Sequence, residues 1–215
     1  MIKSSLFCIT FFLCSSLLLG QDIIYFDKSN PPFMYQNGEA VGLYPSIVKE
    51  IYRRLNQNVV CVSVPWIRAL TEVKKSPVGI GGLYKNSERE QFLDFTIPLY
   101  QEKLVIYYLK TTKIKINTLQ DLYGKKVGVI RGWSYGDYFD STVKNGNFIT
   151  EETTSDILNM KKLINKRLDV VIAIVNSGDK AVSKVDIGNQ IQKSDPILYL
   201  DVYIAYNKKI NKQLL

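Results

Sequence analysis

The chain of 215 residues contains no histidine. That absence removes Ser-His and Cys-His nucleophile pairs, histidine general bases and nearly all of the usual zinc and haem sites. Cysteine is scarce: Cys8, Cys14 and Cys61. The first two fall in an N-terminal apolar run, so a processed chain keeps Cys61 alone. One thiol makes neither an intrachain disulfide nor a cysteine metal cluster. The chain also lacks internal repeats, low-complexity segments and long runs of like charge. Hydrophobic residues at 46% and charged residues at 22% are ordinary proportions for a folded chain, which excludes general disorder. No catalytic residue, metal or cofactor is expected.

Long apolar runs are missing with one exception. Leu6 to Leu19 is apolar apart from Thr10, Ser15 and Ser16, and Lys3 precedes it. A positive residue, a short apolar core and Gly20 at the cleavage position read as a signal peptide over residues 1–20. The run is shorter than the roughly 20 residues that span a bilayer, which disfavours an anchor. Phe12 and Leu13 precede Cys14 where a lipoprotein signal carries small residues, which disfavours a lipid anchor. Removal of the first 20 of 215 residues leaves 195 beginning at Gln21, a soluble extracytoplasmic protein.

Net charge is +8 for the whole chain. Lys and Arg are spread along its length, with no basic run and no aromatic–glycine motif of the kind that binds nucleic acid. A solvated basic surface is the reading, and no nucleic-acid partner is expected.

What is present alternates between strand and helix. Strands are expected at Asp22–Asp27, Asn58–Val64, Val78–Tyr84, Leu104–Leu109, Lys126–Ile130, Phe148–Glu151, Asp169–Val175 and Leu198–Tyr206. Leu43, Ile47, Val48, Ile51, Tyr52 and Leu55 share a helical face, with Pro45 in the first turn. Trp66–Lys75 is an amphipathic helix. Asn117 with Gln120 reads as a capping box, and Gly124 ends that short helix. Ser155 caps a helix that carries Ile157, Met160, Ile164 and Leu168 on one face, and Asn176–Val185 forms another. Such alternation predicts an α/β protein with mainly parallel sheets, divided near Thr111–Ile116. Cys61, inside an apolar strand, reads as an inert buried thiol.

Five segments stand in an informative order. They are Asp27-Lys28-Ser29-Asn30-Pro31-Pro32-Phe33 with Asn37-Gly38 and Val41-Gly42; Val64-Pro65-Trp66 with Arg68-Ala69-Leu70; Ser87-Glu88-Arg89; Phe92-Leu93-Asp94-Phe95-Thr96 with Pro98-Leu99-Tyr100; and Leu119 to Val129. Together they resemble the extracytoplasmic solute-binding proteins of family 3, most of which serve ABC importers of amino acids and other small polar solutes. The resemblance covers nearly all of the processed chain. It implies two α/β lobes joined by two crossing strands, Leu104–Leu109 outward and Leu198–Tyr206 returning. The lobes are then residues 21–109 with 200–215, and residues 110–199. Family members continue with one more helix beyond the point where this chain ends at Leu215.

The resemblance also assigns roles. Arg89 matches the arginine that holds a ligand carboxylate, and its fork suits that task; the competing reading is a surface arginine paired with Glu88 or Glu90. Trp66 matches an aromatic that stacks on the ligand; core packing competes. Asp27 matches a position near the ligand, though carboxylates at strand ends also cap loops. Gly132 and Ser134 match a loop that meets the ligand's carboxylate at a helix start. Trp133 and Tyr135 are bulkier than the small residues usual there, and they either shape the cleft or pack on the lobe. Tyr84 stands where threonine or serine is common. Ile174 stands where amino-acid binders carry an aspartate for the ligand ammonium, so a carboxylate that lacks an α-ammonium is the expected ligand.

The function implied is a periplasmic protein that captures a small polar or carboxylate ligand, amino-acid-like, between its lobes as a monomer. It would deliver that ligand to an ABC permease in the inner membrane. Two alternatives remain open: a dehydratase-like enzyme on the same fold, which needs an Asp, Glu, Lys or Tyr poised in the cleft, and a sensory module that presents ligand to a membrane partner.

Overall fold

The computed structural model describes residues 21–147 and 149–209. The expected signal peptide, with Cys8 and Cys14, lies outside the described residues, as do Phe148 and residues 210–215. In chain order the elements begin with β1 (Asp22–Asp27), β2 (Ser29–Asn30), β3 (Met34–Asn37), β4 (Glu39–Val41), α1 (Leu43–Arg54), β5 (Val59–Val64), α2 (Trp66–Lys75) and β6 (Gly79–Tyr84). A 3-10 turn at Arg89–Gln91 leads to β7 (Leu93–Phe95) and β8 (Tyr100–Leu109). A second 3-10 turn at Leu119–Leu122 precedes β9 (Lys126–Ile130), α3 (Asp137–Lys144), β10 (Ile149–Thr153), α4 (Asp156–Ile164), β11 (Val170–Ile174), α5 (Val175–Val185), β12 (Ile191–Lys193) and β13 (Leu198–Asn207).

Ten of these strands form one mixed sheet with the path β10-β9-β11-β8-β13-β6-β1-β5, to which β12 and β7 attach at β8 and β13. One half, β5-β1-β6, is parallel, with α2 packed on β1 and β6. The other half, β10-β9-β11, is also parallel, with α4 packed on β9 and β11. The long strands β8 and β13 join them. In β8, Tyr100–Leu104 pairs antiparallel with β13, and Leu104–Tyr107 pairs with β11. In β13, Leu198–Val202 pairs with β8, and Val202–Tyr206 pairs with β6. Each therefore starts paired with the other and ends paired with one half, β8 with β11 and β13 with β6.

Patterning explains the packing. All five residues of β11 are buried, as expected for a strand covered on both faces. A core cluster under α4 and α5 joins Met160 and Leu163 to Val105, Val171 and Ala181. Helix α2 buries Trp66, Ala69 and Val73 at helical spacing. Helix α1 buries Tyr44, Val48 and Tyr52, whereas Leu43 and Leu55 are exposed. The face is thus turned from the one the aliphatics predict, because Tyr44 and Tyr52 reach hydrogen-bond partners inward. Tyr44 donates to Glu102, and Tyr52 donates to Asp22 at 2.7 Å.

Two further expectations shift. The capping box is Thr118 with Asp121 rather than Asn117 with Gln120. The Asp121 carboxylate accepts from the amides of both Asn117 and Thr118, at 2.8 and 2.9 Å, which a neutral Gln120 side chain did not outcompete. The outward crossing strand begins at Tyr100, four residues before the apolar run that marks it in sequence. Ser155 caps α4 as expected and accepts from the Leu158 amide. Cys61 is a buried free thiol whose pKa burial pushes up to about 11.

Candidate ligand site between the halves of the sheet

The parallel strands of the two halves end toward one another. Asp27 closes β1, Trp66 follows β5, Tyr84 closes β6, and the loop Gly132-Trp133-Ser134 follows β9. The carboxyl ends of parallel strands are where open α/β sheets collect ligands. All seven residues singled out in sequence gather at this junction.

Direct hydrogen bonds cross it. The Trp66 indole donates to the Gly132 carbonyl at 3.0 Å, and the Trp133 indole donates to Asp27 Oδ2 at 3.3 Å. Asn86 Nδ2 donates to Ser134 Oγ at 2.9 Å, and Ser87 Oγ to Asp137 Oδ2 at 2.7 Å. Between the halves lies a cavity of about 10 Å³ bordered by Asn30, Trp66, Tyr84, Arg89, Glu102, Trp133 and Ser134. It opens beside a groove of about 870 Å³ that shares Arg89, Trp133 and Ser134 and adds Lys74, Phe92 and Lys144. On the opposite side a hollow of about 430 Å³ is lined by Asp27, Trp66, Ile67 and Arg131.

Arg89 is buried, at 6% exposure. Its Nη1 donates to the Tyr84 carbonyl at 2.7 Å, and its guanidinium carbon lies 5.8 Å from the Trp66 ring centre. Burial lowers its pKa to about 10. The surface-arginine reading does not hold, because Glu88 pairs with Lys74 and Glu90 with Lys85. Among the described residues Arg89 has no ion-pair partner, and it borders both the cavity and the groove. Trp66 is 5% exposed and belongs to the core cluster while still bordering the cavity, so both readings of it apply.

The loop after β9 differs from expectation in its chemistry. Asp137 and Asp140 occupy the first turn of α3. Asp140 accepts from the Tyr135 amide at 3.1 Å and from Ser134 Oγ at 2.5 Å. The chain's own carboxylates thus already meet the positive end of this helix. Trp133 borders the cavity, whereas Tyr135 is buried in the core and accepts from the Ile130 amide. Asp27 accepts from the Ser29 amide and hydroxyl as well as from Trp133, and burial raises its pKa. It therefore caps its own loop while tying the halves together.

Two residues of the cavity escaped the sequence analysis. Glu102, in β8, is 2% exposed and accepts from the hydroxyls of Tyr44 and Tyr84. Burial lifts its pKa to about 7 against the pull of those bonds. Asn30 is 4% exposed, and neither its Oδ1 nor its Nδ2 has a hydrogen-bond partner among the described residues. Glu102 stands between Gln101 and Lys103, before the apolar run that marks the strand, so neither it nor Asn30 offered a signal of burial. Ile174 packs in the core opposite Leu104 and borders none of these spaces.

Among solved structures the chain is similar to holo ArgBP from T. maritima, at 22% identity and a TM-score of 0.71, over 88% of this chain and 83% of that one. A histidine kinase sensor domain with similarity to periplasmic binding proteins matches at 17% identity and a TM-score of 0.75, over 88% and 83%. An ancestral arginine-binding protein bound to arginine matches at 20% and 0.71, over 88% and 85%. No curated protein has a matching sequence. The family model for bacterial extracellular solute-binding proteins, family 3, matches residues 23–208, and the chain belongs to that family.

Proposed function

We propose that this protein captures a small, amino-acid-like carboxylate between two lobes in the periplasm and delivers it to an ABC permease of the inner membrane. The lobes in this reading are residues 21–109 with 200–215, and residues 110–199; the exchange of partners along β8 and β13 supports that division. Arg89 carries the reading. A buried guanidinium without an ion pair among the described residues, at the junction of two α/β halves, is a ready donor to a carboxylate. Asp27, Trp66, Tyr84, Gly132, Trp133 and Ser134 form its surroundings. The role is binding rather than catalysis, by a monomer that residues 1–20 direct out of the cytoplasm.

A thermal-shift screen over amino acids, organic acids and polyamines identifies the ligand, and Arg89 variants test the site. Losing a buried charge partner costs about 2–5 kcal/mol, so Arg89→Ala is expected to weaken binding from about 30-fold to several thousandfold. Arg89→Lys is expected to lose much of it too, because lysine lacks the planar fork. Unchanged affinity in a folded Arg89→Ala protein overturns the assignment.

The similarity to a kinase sensor domain favours a second reading, in which the same capture serves a membrane sensor. Co-purification of the liganded protein with a sensor rather than a permease decides between the two.

A further inference from the structure

Cations that are spread along the sequence are brought together by the fold at one place. Strands β9, β10 and β11 run parallel, so their amino ends form a pole of that half away from the junction. Lys126 opens β9 beside Ile149, which opens β10. The Ile149 amide donates to the Lys125 carbonyl at 3.1 Å, and the Asp169 amide, just before β11, donates to the Lys126 carbonyl at 3.0 Å. Lys161 and Lys162 lie in the last turn of α4, and the Arg167 amide donates to the Lys162 carbonyl at 2.9 Å. Lys166 completes that turn with φ +55°, a left-handed shape that glycine adopts at less cost. Only two acids stand among these six cations. Glu151 is taken by Lys126, at 3.3 Å, and by Lys162. Asp169 accepts from the Lys126 amide at 2.7 Å. Among the described residues Lys125, Lys161, Lys166 and Arg167 have no ion-pair partner. The end of a helix attracts cations by itself, which accounts for Lys161 and Lys162 but not for Lys125 and Lys126 at the start of a strand. Ile149 stands among the cations at 63% exposure, and Leu158 is exposed on α4.

We propose that this pole is a docking surface for an anionic lipid bilayer, with its cations at the headgroups and Ile149 at the edge of the acyl layer. The complementarity is of charge and of shape. The cations come from β9, α4 and the turn after α4, and they surround an exposed aliphatic side chain instead of converging on one point. A layer of headgroups presents many negative charges over a wide area and takes such cations without matching them one by one. An apolar side chain framed by lysines suits the boundary between headgroup and acyl chain. None of the spaces at the junction is lined by these six residues. The ligand site lies at the carboxyl ends of the same parallel strands, so docking by the amino ends leaves it uncovered. The inference goes beyond solute capture and does not depend on Arg89.

Sedimentation of the exported chain with vesicles tests this, using phosphatidylglycerol in one series and phosphatidylcholine alone in the other. Binding is expected to be about tenfold or more tighter on phosphatidylglycerol. Raising salt from about 0.1 M to 1 M shortens the screening length from about 10 Å to 3 Å and is expected to release the protein. Reversing two of the unpaired charges, Lys166→Glu with Arg167→Glu, is expected to weaken binding to phosphatidylglycerol at least about tenfold. Arg53→Glu with Arg54→Glu makes the same change of net charge on α1 in the other half, and it is expected to cost less than about threefold because those residues face away from a docked bilayer. Ile149→Ser keeps the charge and is expected to weaken binding severalfold. Equal binding to both lipids, equal losses in the two charge-reversed proteins, or an unchanged affinity of Ile149→Ser overturns the docking surface. So does an outcome in which vesicles are ignored while Lys166→Glu with Arg167→Glu abolishes a salt-sensitive co-purification with a permease, which assigns the pole to an acidic protein instead. In each case ligand capture is read separately by the thermal-shift screen and stands or falls on its own.

Discussion

Glu102 gives the stability of this protein a pH trend opposite to that of an ordinary salt-bridged carboxylate. Its pKa rises from 4.5 to about 7 in the folded chain because burial penalises the charge more than the two tyrosine hydroxyls reward it. The folded state therefore holds the proton more tightly than the unfolded state. That contribution is fully present below about pH 4.5 and is lost as pH rises through about 7. One group shifted by this much changes stability by roughly 3 kcal/mol. Denaturant melts of wild type and Glu102→Gln between pH 4 and 8 isolate it, and the gap between them should change by that amount across the window. A constant gap means that Glu102 titrates normally. The surface acids Asp121 and Asp137 and the half-buried Glu151, whose pKa values are lowered by hydrogen bonds, act in the opposite direction in both proteins and cancel in the comparison.

At the scale of elements, the loop after β9 depends on a left-handed backbone shape that glycine adopts freely. Gly132 has φ +71°, and a Cβ there would lie 2.2 Å from Cδ1 of Ile67 on α2. Gly132→Ala is expected to cost about 1–2 kcal/mol from the left-handed conformation alone. Ile67 can swing away because its side chain is half-exposed. Adding Ile67→Ala should therefore relieve only the steric part, and a double-mutant cycle by chemical denaturation reads the two parts separately. Full recovery in the double mutant would show that the backbone bears no strain. The elements themselves were largely legible in sequence. Helix α2 was bounded correctly because Pro65 stops it at one end and its apolar spacing is regular, and β11 showed as an uninterrupted apolar run. The errors share a cause. The face of α1 and the inward role of Glu102 are decided by side-chain hydrogen bonds to residues distant in sequence, such as Tyr52 to Asp22 and Tyr44 to Glu102, and the start of β8 by the pairing of Tyr100 with Val202. Periodicity reads neighbours along the chain and is blind to such partners. The gathering of Asp27, Trp66, Tyr84, Arg89 and the Gly132–Ser134 loop was legible because each ends a strand or follows one within a few residues, where a motif can mark it.

For the whole molecule, the crossing strands β8 and β13 and the few hydrogen bonds across the junction set what a ligand must do. Ligand that touches both halves favours the arrangement in which they meet. The chain has two tryptophans, and both take part: Trp66 donates to Gly132 and Trp133 donates to Asp27, each from one half to the other. Parting the halves would break both indole bonds together and wet Trp66, now 5% exposed. The protein thus carries its own optical reporter, with no tryptophan elsewhere to dilute the signal. Ligand at saturation is expected to shift the emission to the blue and to shield it from a neutral quencher such as acrylamide. Trp66→Phe and Trp133→Phe should each remove part of that response. Emission and quenching that ignore a ligand shown to bind by calorimetry would mean that the junction stays shut throughout. The same glow then becomes a clock, since stopped-flow mixing followed at the indoles times the movement on the unlabelled chain.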